Sequence, residues 1–187
     1  MAKALRSHHL MSFFFKNQRH LLSTSNHEPP SGLTHIDSTG KSSMVDITDK
    51  SITERKASAQ AVVVVGPKVF KLLKENQLKK GDALTVSRLA GIMGAKRTSD
   101  LIPLCHPIQL AHIGIELSLD SDKTAVNIVC SATCSGKTGV EMEALSGATI
   151  AALALYDMSK SVTHKIVIQD IRLLEKTGGK RNVKSTH

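Results

Sequence analysis

The chain has no tryptophan, one tyrosine and four phenylalanines among 187 residues, so its core must be built from Ala, Val, Ile and Leu. Scarce aromatics also count against an RNA-reading sheet, which needs a strand motif with paired rings for base stacking. The three cysteines, Cys105, Cys130 and Cys134, form no CxxC pair and no zinc-ligand spacing. Their odd number argues against a disulfide framework, and reduced thiols are the simplest reading. No long hydrophobic run exists: the longest apolar or small stretch, Ala144–Tyr156, covers 13 positions, short of the roughly 18 that mark a transmembrane helix. A soluble protein without membrane association is the expectation.

Acid is absent before Glu28, while Lys3, Arg6, Lys16 and Arg19 supply four of the nine net positive charges. Leu5, Leu10, Phe13, Phe14, Phe15, Leu21 and Leu22 lie among them. This composition reads as an organellar transit peptide, and the two spaced arginines favour the mitochondrial matrix; a disordered tail is the alternative. A secretory signal fits badly, because the apolar stretch Leu10–Phe15 breaks at Lys16. Pro29-Pro30-Ser31-Gly32 then makes a linker. The expected organisation is a leader and linker over 1–32, one domain over 33–181 and a short tail over 182–187. The basic excess left to the domain suits nucleic acid, an anionic membrane or an anionic small substrate.

Residues 33–58 are polar and read as an extended arm. The β-branched run 59–65 closes at Gly66-Pro67 and predicts a buried strand. Pro67 opens a helix that Lys79-Lys80-Gly81 ends, and Asp82 N-caps a second helix over 83–97 carrying Leu84, Leu89, Ile92 and Met93. Ile113, Ile115, Leu117 and Leu119 alternate with polar residues, as do Val126, Ile128, Cys130, Ala132 and Cys134 with theirs, and a turn at 120–123 joins them as a hairpin. A long helix rich in Ala and Gly follows over 139–161, then a strand near 165–174 with Ile166, Ile168, Ile171 and Leu173. With the second helix set aside, the order is β-α-β-β-α-β: an α+β, ferredoxin-like antiparallel sheet with helices on one face.

Ser135-Gly136-Lys137-Thr138 resembles the end of a phosphate-binding GxxxxGKT loop, but that pattern needs glycine at position 131, where serine stands. Lys137 is either a solvated turn lysine or an anion contact beside a helix start. Lys80 reads as a turn lysine. Leu104-Cys105-His106-Pro107 places a thiol and a histidine in a loop, where a binding role and a structural hydrogen bond are equal alternatives. Cys130 and Cys134 are small buried hydrophobes rather than metal ligands. Glu141 and Glu143 suit the positive end of a helix dipole. Asp157 and Lys160, at i and i+3, share a helix face, as a surface ion pair or as part of a site.

The run Ala90–Pro107, then Gly136–Leu145, Tyr156–Lys160 and Lys176–Lys180, closely resembles the cyclic pyranopterin monophosphate synthase family, over about 33–181. Several long motifs in the right order make that likeness specific. It implies a lyase that takes 3',8-cyclo-7,8-dihydro-GTP to cyclic pyranopterin monophosphate and releases diphosphate, an early step of molybdenum cofactor biosynthesis. It further implies a ferredoxin-like homohexamer, a trimer of dimers with sites at the dimer interface. No organic cofactor or resident metal is expected, and Mg²⁺ accompanying the triphosphate is left open. The resemblance assigns substrate contacts to Leu104, Cys105, His106, Met142 and Glu143, marks Asp157 as catalytic, and adds Lys80, Lys160 and Glu141. Such chemistry needs proton transfers beside concentrated negative charge. Asp157 tied to Lys160 suits proton transfer, Lys80 a general acid or base tuned by neighbouring cations, and Lys160 also a phosphate clamp. His106 and Glu143 suit orientation of the guanine-derived ring. Rival classes are a non-catalytic ligand-binding module and an RNA-binding domain, and binding of nucleic acid is not expected.

Overall fold

The computed structural model describes residues 41–185, all inside one compact unit running Thr34–His187. The leader and linker reading falls outside the described residues. The elements are β1 (Thr53–Val64), α1 (Gly66–Lys74), α2 (Ala83–Lys96), α3 (Thr98–Leu101), β2 (His112–Asp120), β3 (Ala125–Gly136), α4 (Glu141–Ser159), β4 (Val167–Thr177) and β5 (Val183–Lys184). The strands form one antiparallel sheet in the order β2-β3-β1-β4-β5. This is the expected α+β class. Helices α2 and α3 between β1 and β2, and the strand β5 after β4, are additions to a strict β-α-β-β-α-β chain.

One sheet face is the core. Ala57, Ala59, Ala61 and Val63 of β1 and Val126, Ile128, Cys130, Ala132 and Cys134 of β3 are all buried, as the period-two alternation requires. α4 lies on them through Ala144, Gly147, Ala148, Ala151, Ala152 and Leu155. Small residues on both sides bring helix and sheet close, and of the few aromatic rings Phe70 is buried in the core and Tyr156 packs against it. α2 packs on α4 and β2 in the same way: a Cβ on Gly91 would stand 2.9 Å from the Gly147 carbonyl oxygen, and one on Gly94 would stand 2.7 Å from Ile150 Cβ. The alternate residues Ser58, Gln60 and Val62 on the opposite sheet face are half-buried.

Several boundaries differ from the sequence expectation. β1 begins at Thr53 rather than 59, because its polar start is paired with β3 and β4; hydrogen bonding, not hydrophobicity, makes it a strand. α1 stops at Lys74 instead of reaching 79–81, since Asn76 adopts a left-handed conformation with φ of 51° that no helix continues through. Leu89 and Met93, counted among the apolar residues of α2, are 57% and 53% exposed; the buried face is Ala83, Ser87, Gly91, Gly94 and Ala95. β4 runs Val167–Thr177 with two shifts in register against β1, and Asp170 at φ 54° marks one of them. The bulge turns Ile171 outward, 42% exposed, while Ile168 and Leu173 stay on the core. The Asp82 cap stands as expected: Oδ1 accepts the Thr85 N–H at 3.0 Å.

Candidate functional site

At the N-terminal end of α4, the first helical turn meets the loop that follows α3. Met142 and Glu143 line a cavity of about 530 Å³ together with Leu104, Cys105, His106 and the arm residues Val45 and Ile47. Glu143 is only 4% exposed, and its Oε2 has no hydrogen-bond partner among the described residues. Burial pushes its carboxyl above the ordinary range, and the charge of Glu141 adds to the rise. Burial and the nearby Glu143 raise the Cys105 thiol as well. Cys105 thus lines the cavity with a thiol whose ionisation is disfavoured. His106 Nε2 donates to the Val45 carbonyl at 2.8 Å, so its ring nitrogens are oriented by backbone.

A second cavity of about 840 Å³ adjoins the first, and Lys50, Thr138, Gly139, Glu141 and Lys180 line both. Its walls carry Arg55, Lys56, Lys137 and Lys176 in addition. Antiparallel pairing assembles this basic surface, since Lys56 stands opposite Thr177 and Ala57 opposite Lys176 on neighbouring strands. Lys176 Nζ donates to Glu141 Oε1 at 2.7 Å, which fixes that glutamate between the cavities. Arg55 Nε donates to the Gly136 carbonyl at 3.3 Å. Lys137 lines this cavity, and its ammonium donates to the Thr48 carbonyl at 2.5 Å.

The far end of α4 carries a third group. Asp157 Oδ2 receives Lys80 Nζ at 2.7 Å and Oδ1 receives Lys160 Nζ at 2.8 Å, while Lys80 also reaches the Asp157 carbonyl oxygen at 2.9 Å. The hydrogen bond from Lys160, followed by that from Lys80, lowers the aspartate to about 2. Its carboxylate in turn raises Lys160. All three side chains are roughly half-exposed, so they form a charged platform open to an incoming partner.

Six of the nine sequence-derived residues thus share one cavity: Leu104, Cys105, His106, Glu141, Met142 and Glu143. Lys80, Asp157 and Lys160 form the other cluster. α4 is continuous from Glu141 to Ser159, and the 14 positions from Glu143 to Asp157 span about 21 Å at 1.5 Å per residue. Within one chain the two groups do not meet. Sequence reasoning missed the basic cavity: Lys176 and Lys180 stood in a matching motif without a role, and Arg55 and Lys56 lay in what was read as an arm. Among the described residues no group of three His, Cys, Asp or Glu side chains is placed to hold a metal ion, and no helix is long and apolar enough to cross a membrane.

A model of the MoaC family matches residues 44–179. The chain is similar to molybdenum cofactor biosynthesis protein 1 of Homo sapiens, 57% identical over 149 residues, which are 80% of this chain and 23% of that protein. It therefore spans about a quarter of that relative's length. It is also similar to two proteins called cyclic pyranopterin monophosphate synthase. The one from Herpetosiphon aurantiacus is 48% identical across 80% of this chain and 91% of its own, and the one from Dinoroseobacter shibae is 49% identical across 80% and 95%.

Proposed function

The chain belongs to the MoaC family, and on that premise we propose that it acts as a cyclic pyranopterin monophosphate synthase in molybdenum cofactor biosynthesis, converting 3',8-cyclo-7,8-dihydro-GTP with release of diphosphate. One observation carries the reading: a half-apolar cavity with a buried carboxyl opens directly onto a larger cavity walled by cations. The first suits a purine-derived ring and the second its phosphates. In this reading Glu143 Oε2, which has no hydrogen-bond partner among the described residues, accepts a ring N–H, and His106 holds the ring's orientation. Arg55, Lys56, Lys176 and Lys180 neutralise the triphosphate and the departing diphosphate.

Proton transfer falls to Asp157 with Lys80 and Lys160. Because these stand a helix length from Glu143, the complete site takes the Asp157 cluster of a neighbouring copy, in an assembly read as a homohexamer of three dimers. The basic, acid-free leader composition supports a location in the mitochondrial matrix. Incubating the purified chain with the cyclised GTP derivative and measuring diphosphate together with the pterin product tests the reaction. Absence of both products from a folded, assembled protein refutes it.

A further inference from the structure

Residues 44–50 form no helix or strand, yet they separate the two cavities. Val45 and Ile47 face the ring cavity, Asp46 and Asp49 face the basic one, and Lys50 borders both. Val45, Asp46 and Ile47 alternate as extended chain does, with successive side chains on opposite sides, and the turn over 48–50, closed by the Lys50 N–H on the Ile47 carbonyl, carries Asp49 to the basic side. Burial contributes little to holding this strap: Met44 and Ile52 at its ends are 50% and 65% exposed, and Val45 and Ile47 are only half-buried. Two side chains from the body of the domain reach its carbonyls instead, His106 at Val45 and Lys137 at Thr48. Between these two points Asp46 Oδ1 accepts both the Thr48 N–H at 2.8 Å and the Thr48 hydroxyl at 2.7 Å, so a pull on the Thr48 carbonyl is transmitted to Asp46 and its neighbours.

We infer that Lys137 is a positioning residue for substrate: by holding the Thr48 carbonyl, it keeps the strap in place as the common wall of the two cavities, and it acts on affinity without touching the ligand. The contact that the structure gives Lys137 favours this role over direct anion binding: it lines the same cavity as Arg55, Lys56, Lys176 and Lys180, and its ammonium donates to the Thr48 carbonyl of the strap. A wall that must first be ordered weakens binding by the entropy of ordering it, whereas a wall already latched does not. The latch should consequently appear in KM more than in kcat.

For its kinetic half the inference rests on the proposed function; its structural half does not. Lys137→Met removes the donor and preserves length, and Lys137→Arg restores a cationic donor. In the full chain without substrate, hydrogen exchange of the amides at 45–50 should quicken about tenfold in the Met variant and return toward the parent rate in the Arg variant, with exchange in β1 and β3 unchanged. With the cyclised GTP derivative, KM should rise about tenfold in the Met variant and kcat stay within about threefold. Strap exchange at the parent rate in Lys137→Met overturns the latch, and a raised KM beside that result marks a direct substrate contact. Faster exchange with unchanged KM overturns the strap's part in binding. If the parent chain turns over nothing, the proposed function fails on that result, while the exchange comparison still decides whether Lys137 holds the strap.

Discussion

The sulfur of Cys130 lies 2.5 Å from the point at which Gly147 would carry a Cβ, so β3 and α4 touch where neither has room for another atom. Gly147→Ala adds one methyl at that contact. Helix propensity by itself favours the change by about 1 kcal/mol, but overpacking a close-packed core costs about 1–3 kcal/mol. Net destabilisation is expected in urea unfolding, and a stabilised Gly147→Ala protein would show that helix and sheet separate easily.

Cys130 is fully buried and its thiol is pushed up to about 12 by burial, so it is a small apolar filler. Cys130→Ser places a hydroxyl there, at a cost of about 1–3 kcal/mol if unpaired. Stability should fall and turnover per folded chain should hold. A large rate loss at unchanged stability contradicts the structural assignment.

Glu143 has a folded-state pKa above its ordinary 4.5. The stability tied to its protonated form is complete below about 4.5 and is lost as pH rises through the raised folded value. Glu143→Gln cannot ionise. Its stability relative to the parent should therefore increase with pH across that window, measured as denaturant midpoints at a series of pH values. A difference that stays constant with pH defeats the prediction.

Asp157 behaves in the opposite sense. With a folded value near 2, below its ordinary 3.8, it contributes stability present above about 3.8 and lost as pH falls through the lower value. Exposure makes that contribution small. Asp157→Asn should lack this acid-linked loss, and Asp157→Asn and Lys80→Ala should each abolish turnover while the assembly stays folded, as seen by gel filtration and circular dichroism. Parent-like rates in either variant remove that residue from the mechanism.

Separate ends of α4 imply complementation. Glu143→Ala and Asp157→Ala proteins, each inactive alone, should regain activity when their subunits exchange, because some interfaces then hold one intact site and one doubly damaged site. With exchange verified by mass, a mixture as inactive as its parents means the two residues do not share a site across copies.

Legibility followed the kind of physics involved. The β3 alternation ending at Cys134, the Asp82 cap and the small-residue surface of α4 are local patterns, and each is present in the fold as read. The Leu104–His106 loop and the Glu141–Glu143 turn were recognised as motifs, and their meeting in one cavity accords with that. The basic cavity was not legible, because Arg55 and Lys56 are far from Lys176 in sequence and share a wall with it only through the pairing of β1 with β4. Nor was the outward turn of Ile171, since nothing in its own side chain announces the left-handed backbone at Asp170. Leu89 and Met93 looked like core by their spacing, but Gly91 and Gly94 permit the closer approach and leave the larger residues outside.

The unbroken length of α4 has a consequence for how the protein responds to dilution. If each chain holds half of one site at one end of that helix and half of another at the other, a solitary chain contains no whole site at all. Catalytic output would then count contacts between chains and not chains themselves. Below the concentration at which copies part, output should fall with the square of concentration, so a tenfold dilution there costs about a hundredfold in rate.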